Sequence, residues 1–417
     1  MSAYRLYLIY SGALALLITG IYSLSNVYRL EVAHLNPLQL VLVGTALEVT
    51  YFVLNLPTGV IADTYSRKLS VILGTCLFGV GAVLEGMLPV FGWIIICQVV
   101  QGAAYTFIEG ALESWVTDEV GEEMSGHAFL HAGQVEAAAS FVGILLGVGL
   151  SSLELRLPFL LGGALLLSLG VALVWLMRES SPPYSTRRAQ VGLQGYLGAG
   201  LRDMSDTLRG GMRVVRTRAL AGTILLVAAM MGGFSEGFDR LWQPHFIQDI
   251  GLPSVGGLDR LVWLGLAMAV NPLLASLVLR SVRSSLSDTS PRTIIGLLMG
   301  TDVVVMLGAL AFALAPNFTV GLLAYWVMTV ARRVHQPLYL AWINQGIDGR
   351  VRATVISVSG QAHSLGEFVL GPLVGGLATL LSLRVGLALS SCCLAPLVAL
   401  YARSLGKVRA DVASTVE

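Results

Sequence analysis

The chain has 417 residues, a formal charge of +1 at neutral pH, 55% hydrophobic residues and only 12% charged ones, against about 25% charged in an average soluble domain. Its mean hydropathy is +0.76, and a soluble fold of this size would leave much of that apolar surface in water. These figures exclude a disordered chain, a nucleic-acid-binding protein and a secreted disulfide scaffold; they specify an all-α integral membrane protein with no nucleic-acid partner. Cys76, Cys97, Cys392 and Cys393 lie in apolar runs without metal-ligand spacing and read as small apolar fillers. No cofactor or metal is implied.

A hydrocarbon core of about 30 Å takes roughly 20 apolar helical residues to cross. That window predicts spans over 5–28, 38–61, 69–88, 92–117, 127–150 and 157–177, then over 219–243, 258–281, 292–314, 318–342, 352–381 and 384–404. The first run is too long for a signal-peptide core and lacks a small-residue cleavage site, so it reads as a retained span. The runs do not alternate, which excludes a closed barrel. An even count puts both termini on one side. Of the 26 Lys and Arg residues, 19 fall at that face and Arg29, Arg156, Arg260 and Arg384 at the opposite one, with Arg240, Arg332 and Arg333 inside spans. The positive-inside rule therefore predicts a multi-pass protein of the cell membrane with both termini cytoplasmic.

The organisation expected is a six-helix bundle over 1–178, a cytoplasmic linker over 179–218 and a second six-helix bundle with a short tail over 219–417. In the linker, Leu197, Leu201, Met204, Leu208, Met212 and Val215 recur at steps of three and four, with Arg202, Arg209, Arg213 and Arg216 on other faces. That pattern predicts an amphipathic helix on the membrane surface, in contact with anionic lipid. Trp115, Gly133-Gln134 and Phe141-Val142 recur as Trp342, Gly360-Gln361 and Phe368-Val369, all at an offset of 227 residues. A constant offset argues for two pseudo-symmetric halves of parallel topology.

The loop after span two reads Gly59-Val60-Ile61-Ala62-Asp63-Thr64-Tyr65-Ser66-Arg67-Lys68 and resembles the G-x-x-x-D-x-x-x-R-K signature of the major facilitator superfamily. Physically, Gly59 permits close helix approach, Asp63 suits the positive end of a neighbouring helix, and Arg67 calls for an acid, for which Asp118 is the expected partner. The resemblance implies twelve spans, alternating access, and a conformational latch made of Gly59, Asp63, Arg67, Lys68 and Asp118. Span four carries Gln98-Val99-Val100-Gln101-Gly102, similar to the family's R-x-x-Q-G but with Gln98 at the arginine position. Gly371-Pro372-Leu373-Val374-Gly375-Gly376 resembles the G-P-x-x-G-G element of drug–proton antiporters, placed in span eleven, whereas span five has only Gly143 and Gly147.

Carboxylates near the centre of a span cost roughly 2.5–3.5 kcal/mol on insertion scales, so each one calls for a reason. Glu48, Glu109 and Glu136 each lie about 14 Å from a span end at 1.5 Å per residue, and Glu367 sits near the middle of span eleven. A carboxyl that is neutral when dry and charged when it holds a cation suits proton–substrate exchange. His363 and Glu367 share a helix face, and so do Glu109 and Glu113, whose repulsion favours one shared proton. Glu236 and Arg240 read as a structural clasp that leaves Asp239 as the unpaired acid. Glu85 and Asp302 fall on spans three and nine, outside the cavity the family resemblance implies. Arg332, Arg333 and His335 are expected to pair with a carboxylate such as Glu109, the alternative being an anionic substrate group. Tyr105, Phe107, Trp242, Tyr325 and Trp326 are candidates to line a cavity for a lipophilic cation, and Trp93, Trp242 and Trp263 also fit an interfacial belt.

The expected function is that of a secondary transporter, most simply proton-coupled efflux of amphipathic or cationic small molecules, as in multidrug exporters. The alternatives are proton-coupled uptake of a small, possibly anionic metabolite, and an uncoupled lipid facilitator. Partners are then the small-molecule substrate, protons and membrane lipids, with the chain acting as a monomer. No P-loop pattern and no H-E-x-x-H helix occur, so neither an ATP-driven pump nor an enzyme is expected.

Overall fold

In the computed structural model, residues 1–180, 219–254, 259–286, 290–347 and 349–414 are described, and their regular structure is helical throughout. The amphipathic helix expected within 197–215 lies outside these residues. Ten helices among them are long and apolar enough to cross a membrane: Ala3–Glu31, Pro37–Asn55, Arg67–Met87, Phe91–Val120, Glu122–Leu153, Leu157–Leu176, Leu220–Ile250, Arg260–Leu279, Arg292–Ala313 and Leu383–Leu405. Spans ten and eleven, Phe318–Gly346 and Gly349–Leu380, complete the twelve. They are less apolar because Arg332, Arg333, His335, His363 and Glu367 lie within them.

Polar residues set several span starts. Helix ends leave backbone N–H groups without partners, and short polar side chains satisfy one each. Ser66 accepts from Leu69 N at the start of span three, Ser290 from Thr293 N at span nine, Asn317 from Val320 N at span ten and Ser382 from Val385 N at span twelve. Three spans are interrupted. Span one pauses between Ala3–Tyr22 and Ser25–Glu31, span twelve between Leu383–Cys392 and Ala395–Ser414, and span four between Phe91–Ile108 and Ala111–Val120. In span four Glu109 turns extended and Gly110 takes φ +73°, a conformation open to glycine at little cost.

The chain divides into two compact units, one of Met1–Leu35 and Ala46–Met204, the other of Asn36–Thr45 and Ser205–Glu417. The start of span two thus belongs with the second unit. In the first unit, spans one and five approach backbone to backbone, since a Cβ on Gly143 would stand 2.5 Å from the Leu16 carbonyl oxygen. In the second, spans seven and eleven are as close: a Cβ on Gly366 would collide with the Ala229 carbonyl, and one on Gly232 with that of His363. Close approach through small residues is the usual way membrane helices gain packing contacts. Large apolar side chains such as Leu130, Leu153, Trp175 and Leu380 remain exposed, as a lipid-facing surface requires. Trp242 is not an interfacial belt residue. It is buried in an aromatic cluster with Phe238, Phe246, Phe312 and Tyr325, its ring 4.7 Å from that of Tyr325.

Candidate functional site

The break in span four shapes the polar interior of the first unit. Unpaired backbone at membrane depth is tolerated only where protein or a watery cavity receives it, and a cavity of about 290 Å³ opens nearby, lined by Ile18, Tyr22, Leu47, Glu48, Tyr51, Phe78 and Tyr105. Tyr51 donates its hydroxyl proton to Glu109 Oε2, and the Tyr51 and Tyr105 rings lie 5.7 Å apart. Glu48, Glu109, Glu113 and Glu136 all lie close enough to act electrostatically on the Tyr105 hydroxyl. Among the described residues, the unit's ion pairs are Arg29–Glu85, Arg67 with Asp63 and Asp118, and Arg156–Glu154. None of these neutralises Glu109, Glu113 or Glu136. The shared helix face expected of Glu109 and Glu113 does not exist, because the break at Gly110 puts Glu113 in the first turn of a separate helix.

Arg29, placed by sequence among the loop cations, is fully buried. Its guanidinium lies 2.8 Å from Glu85 Oε1, while Gln98 and Gln101 donate to Glu85 Oε2 at 2.8 and 2.9 Å. Tyr22, on the cavity wall, donates to Gln101 Oε1, so a continuous hydrogen-bonded chain joins cavity and ion pair. Glu85 is therefore the centre of a buried network behind the cavity wall, itself outside the cavity lining. The sequence signal for it is the pair Gln98 and Gln101, three apart on one helix face, opposite an acid that needs donors.

At the loop after span two, Arg67 pairs with Asp118, donates to the Ser114 carbonyl at 3.0 Å and reaches Asp63 at 3.4 Å. Lys68 donates to the Val174 carbonyl at 2.9 Å. The carboxylate at the start of span three is Glu179, which accepts from Arg67 N at 2.9 Å and from the Ser66 hydroxyl. Gly59 does not mediate a close approach: a Cβ there would meet nothing within 4 Å.

The second unit contains a cavity of about 340 Å³ lined by Arg332, His335, Gln336, Tyr339, Ser359 and His363, with Ala228, Met231, Ser235 and Gly360. Here charges are matched in pairs. Arg332 binds Asp239 through two parallel bonds of 2.7 and 2.8 Å, so Asp239 is not the unpaired acid and Arg332 does not use Glu109. His363 Nδ1 stands 3.5 Å from Glu367 Oε1. Arg333 is exposed. The Glu236–Arg240 pair packs directly on Gly44, whose missing side chain leaves room for it. Gly371 and Gly375 likewise make room for the Glu236 side chain and for Val41, which gives the Gly371–Gly376 element a packing role. Of the remaining aromatic candidates, Tyr325 is buried, Trp326 donates to the Ala267 carbonyl, and Phe107 lies against Gly74.

Gly233-Phe234-Ser235-Glu236-Gly237 spells a G-x-S-x-G hydrolase pattern, but it lies inside the helix Ala219–His245, where Ser235 donates back to the Met231 carbonyl. A nucleophile elbow needs a strand-to-helix turn. Among the described residues, no cluster of three or more His, Cys, Asp or Glu is placed to hold a metal ion.

Compared with known proteins, the chain matches the Major Facilitator Superfamily model over residues 8–372. It is 23% identical over 381 residues to YxaM of Bacillus subtilis (strain 168), an uncharacterized MFS-type transporter, with 87% of this chain and 86% of that one covered. Similar solved structures include the nucleoside transporter NupG, with a TM-score of 0.76 at 12% identity over 98% of this chain and 100% of that one. A bacterial homologue of the human lysosomal transporter Spinster scores 0.70 at 16% identity, over 95% and 96%. The peptide transporter POT in complex with sulfate scores 0.72 at 14% identity, over 97% and 95%. At these identities the likeness to the solved structures is one of fold.

Proposed function

The chain belongs to the Major Facilitator Superfamily and is a multi-pass membrane transporter, not an enzyme; on that premise we propose that it exports amphipathic or cationic small molecules in exchange for protons, by alternating access. The observation that carries this reading is the aromatic cavity lined by Glu48, Tyr51 and Tyr105, with Glu109 hydrogen-bonded to Tyr51 beside it. A lipophilic cation gains there both Coulombic attraction and ring-face contact, each strengthened by loss of water. When the cation leaves, protons take its place on the carboxylates, because neighbouring bare charges repel. Glu48 and Glu109 are assigned the exchanging protons, with Glu113 and Glu136 supplying field. Arg332 and His363 of the second cavity, with Asp239, Glu367 and Arg333 beside them in sequence or pairing, are assigned a supporting substrate and proton role, and Gly59, Asp63, Arg67, Lys68 and Asp118 are assigned the latch. The excess of Lys and Arg at one face supports a cell-membrane protein with both termini cytoplasmic, assigned to act as a monomer.

Uptake of an anionic metabolite is the second reading. Arg333 and the histidines of the second cavity favour it, whereas Arg332 is already neutralised by Asp239. The nucleoside and peptide named for NupG and POT belong to those proteins, and the aromatic cavity of this chain, with Glu48 in its lining, supports a cation instead. The test uses full-length protein in liposomes with an imposed pH gradient and ethidium as the probe cation. Ethidium is expected to move against the proton flux and to stop moving when a protonophore is added. Movement that ignores the gradient, or a preference for an anionic probe, overturns the reading.

A further inference from the structure

The second unit holds a polar constellation that the cavity acids do not explain. Asp302 of span nine is 2% exposed, and both of its carboxylate oxygens are engaged. Oδ1 lies 2.6 Å from His335 Nδ1 of span ten, and Oδ2 accepts from the Tyr401 hydroxyl of span twelve at 2.6 Å. An ionised carboxylate only accepts, so the His335 proton sits on Nδ1 and the bare nitrogen is Nε2. The same histidine lines the second cavity, and its ring stacks on Tyr339 at 5.5 Å and 18°. Tyr339 is itself held by a 3.0 Å bond to the Ile224 carbonyl. The ring is thus fixed in plane by Tyr339, anchored at Nδ1 by Asp302, and part of the cavity lining.

We propose that His335, with Asp302 and Tyr401 as its positioning residues, is a proton-binding site of the second unit, loaded at Nε2 from the cavity. This rests on the proton-coupled reading above and assigns part of the coupling to residues outside the acidic cavity. Loading transfers a proton from cavity water to Nε2, leaving Nδ1–H on Asp302; unloading reverses the transfer, and no other bond changes. The charges set the direction. Empty, the triad carries one net negative charge in a nearly dry interior; loaded, it is a neutral, hydrogen-bonded pair, the form that costs least away from water.

Among the described residues, the titratable and charged groups placed by contact or cavity lining around His335 are these. Span nine supplies Asp302, span twelve supplies Tyr401 behind it, and span eleven supplies His363 across the cavity. Its own span supplies Arg332 and Tyr339, and Arg332 is neutralised by Asp239 of span seven. The other cavity residues from span seven, Ala228, Met231 and Ser235, do not titrate in this range. Replacing a histidine that only staples three helices would leave the pH profile of transport unchanged; replacing a loading site would alter it.

The test uses full-length protein labelled with 15N-histidine, with the His335 imidazole signal assigned by His335→Gln. Expected is a protonation change at Nε2 between about pH 5 and pH 8, the range open to histidine, with Nδ1 protonated throughout. Asp302→Asn is expected to loosen the hold on that proton and move the transition to lower pH. Tyr401→Phe removes a donor from Asp302, leaves its charge more concentrated on His335, and moves the transition to higher pH. It removes no charge, so it remains informative if His335→Gln does not fold. In liposomes, His335→Gln is expected to lose the gradient dependence of ethidium movement while still binding ethidium. A His335 signal that keeps one charge state across the range, or a His335→Gln variant with the unaltered pH profile of transport, overturns the proposal. Wild-type protein that shows the titration but no gradient-driven ethidium movement overturns the export reading and leaves the proton site standing.

Discussion

The two units handle charge in opposite ways. Beside the first unit's cavity, carboxylates gather around Tyr51 and Tyr105, and none of the ion pairs described there neutralises Glu109, Glu113 or Glu136. The second unit lines its cavity with Arg332 and His335, each bonded to an acid, and with His363 facing Glu367. Ion pairing is therefore the rule around the second unit's cavity, whereas Glu109, Glu113 and Glu136 of the first unit meet no cation in the ion pairs described there. Buried ions matched in place mainly fix geometry, since desolvation offsets much of their attraction. Carboxylates left without a cation are the groups with something to exchange.

Breaking a matched pair in each unit separates structure from exchange. The largest loss is expected from Glu85→Ala, which strands the fully buried Arg29 guanidinium and removes the acceptor of Gln98 and Gln101. Stability should fall by about 3–5 kcal/mol, read as the thermal unfolding midpoint of purified protein. The double variant Arg29→Met with Glu85→Leu should recover part of it. Gly366→Ala ranks next, because its Cβ collides with the Ala229 backbone; overpacking of this kind costs about 1–3 kcal/mol. Gly360→Ala, where nothing lies within 4 Å, is the matched control and should unfold with the wild type. Asp239→Asn breaks a pair whose side chains are 46% and 27% exposed, so solvent screening limits the loss to about 1 kcal/mol. Smallest of all is Gly59→Ala, expected to leave the unfolding midpoint unchanged; a clear drop would show that another conformation brings a helix against that position.

The fold was legible because membrane crossing demands length and apolarity, which ten of the helices satisfy outright, with spans ten and eleven less apolar for their arginines and histidines. The interruption at Glu109–Gly110 was not legible. The run 92–117 reads as one helix, since glycine in a membrane span more often marks packing than a break. Arg29 looked like a loop cation because charge counting assigns residues by position along the chain, and the short helix Ser25–Glu31 that buries it leaves no periodic signal. Asp239 finds Arg332 across 93 residues, and Asp302 finds His335 and Tyr401 on two other spans. Such pairs depend on which helix faces meet, information that spacing within one helix does not carry. The pairing of Glu236 with Arg240 lies within one helix turn and could be read from sequence.

Proton stoichiometry tests the central claim most directly: a pH-sensitive dye inside liposomes records proton movement when ethidium is added to full-length protein, for the wild type and for Glu48→Gln, Glu109→Gln and Glu136→Gln. The account predicts proton movement tied to ethidium in the wild type and its loss, together with the loss of gradient-driven transport, in Glu48→Gln or Glu109→Gln. Proton-coupled ethidium transport that survives all three substitutions unchanged would contradict it.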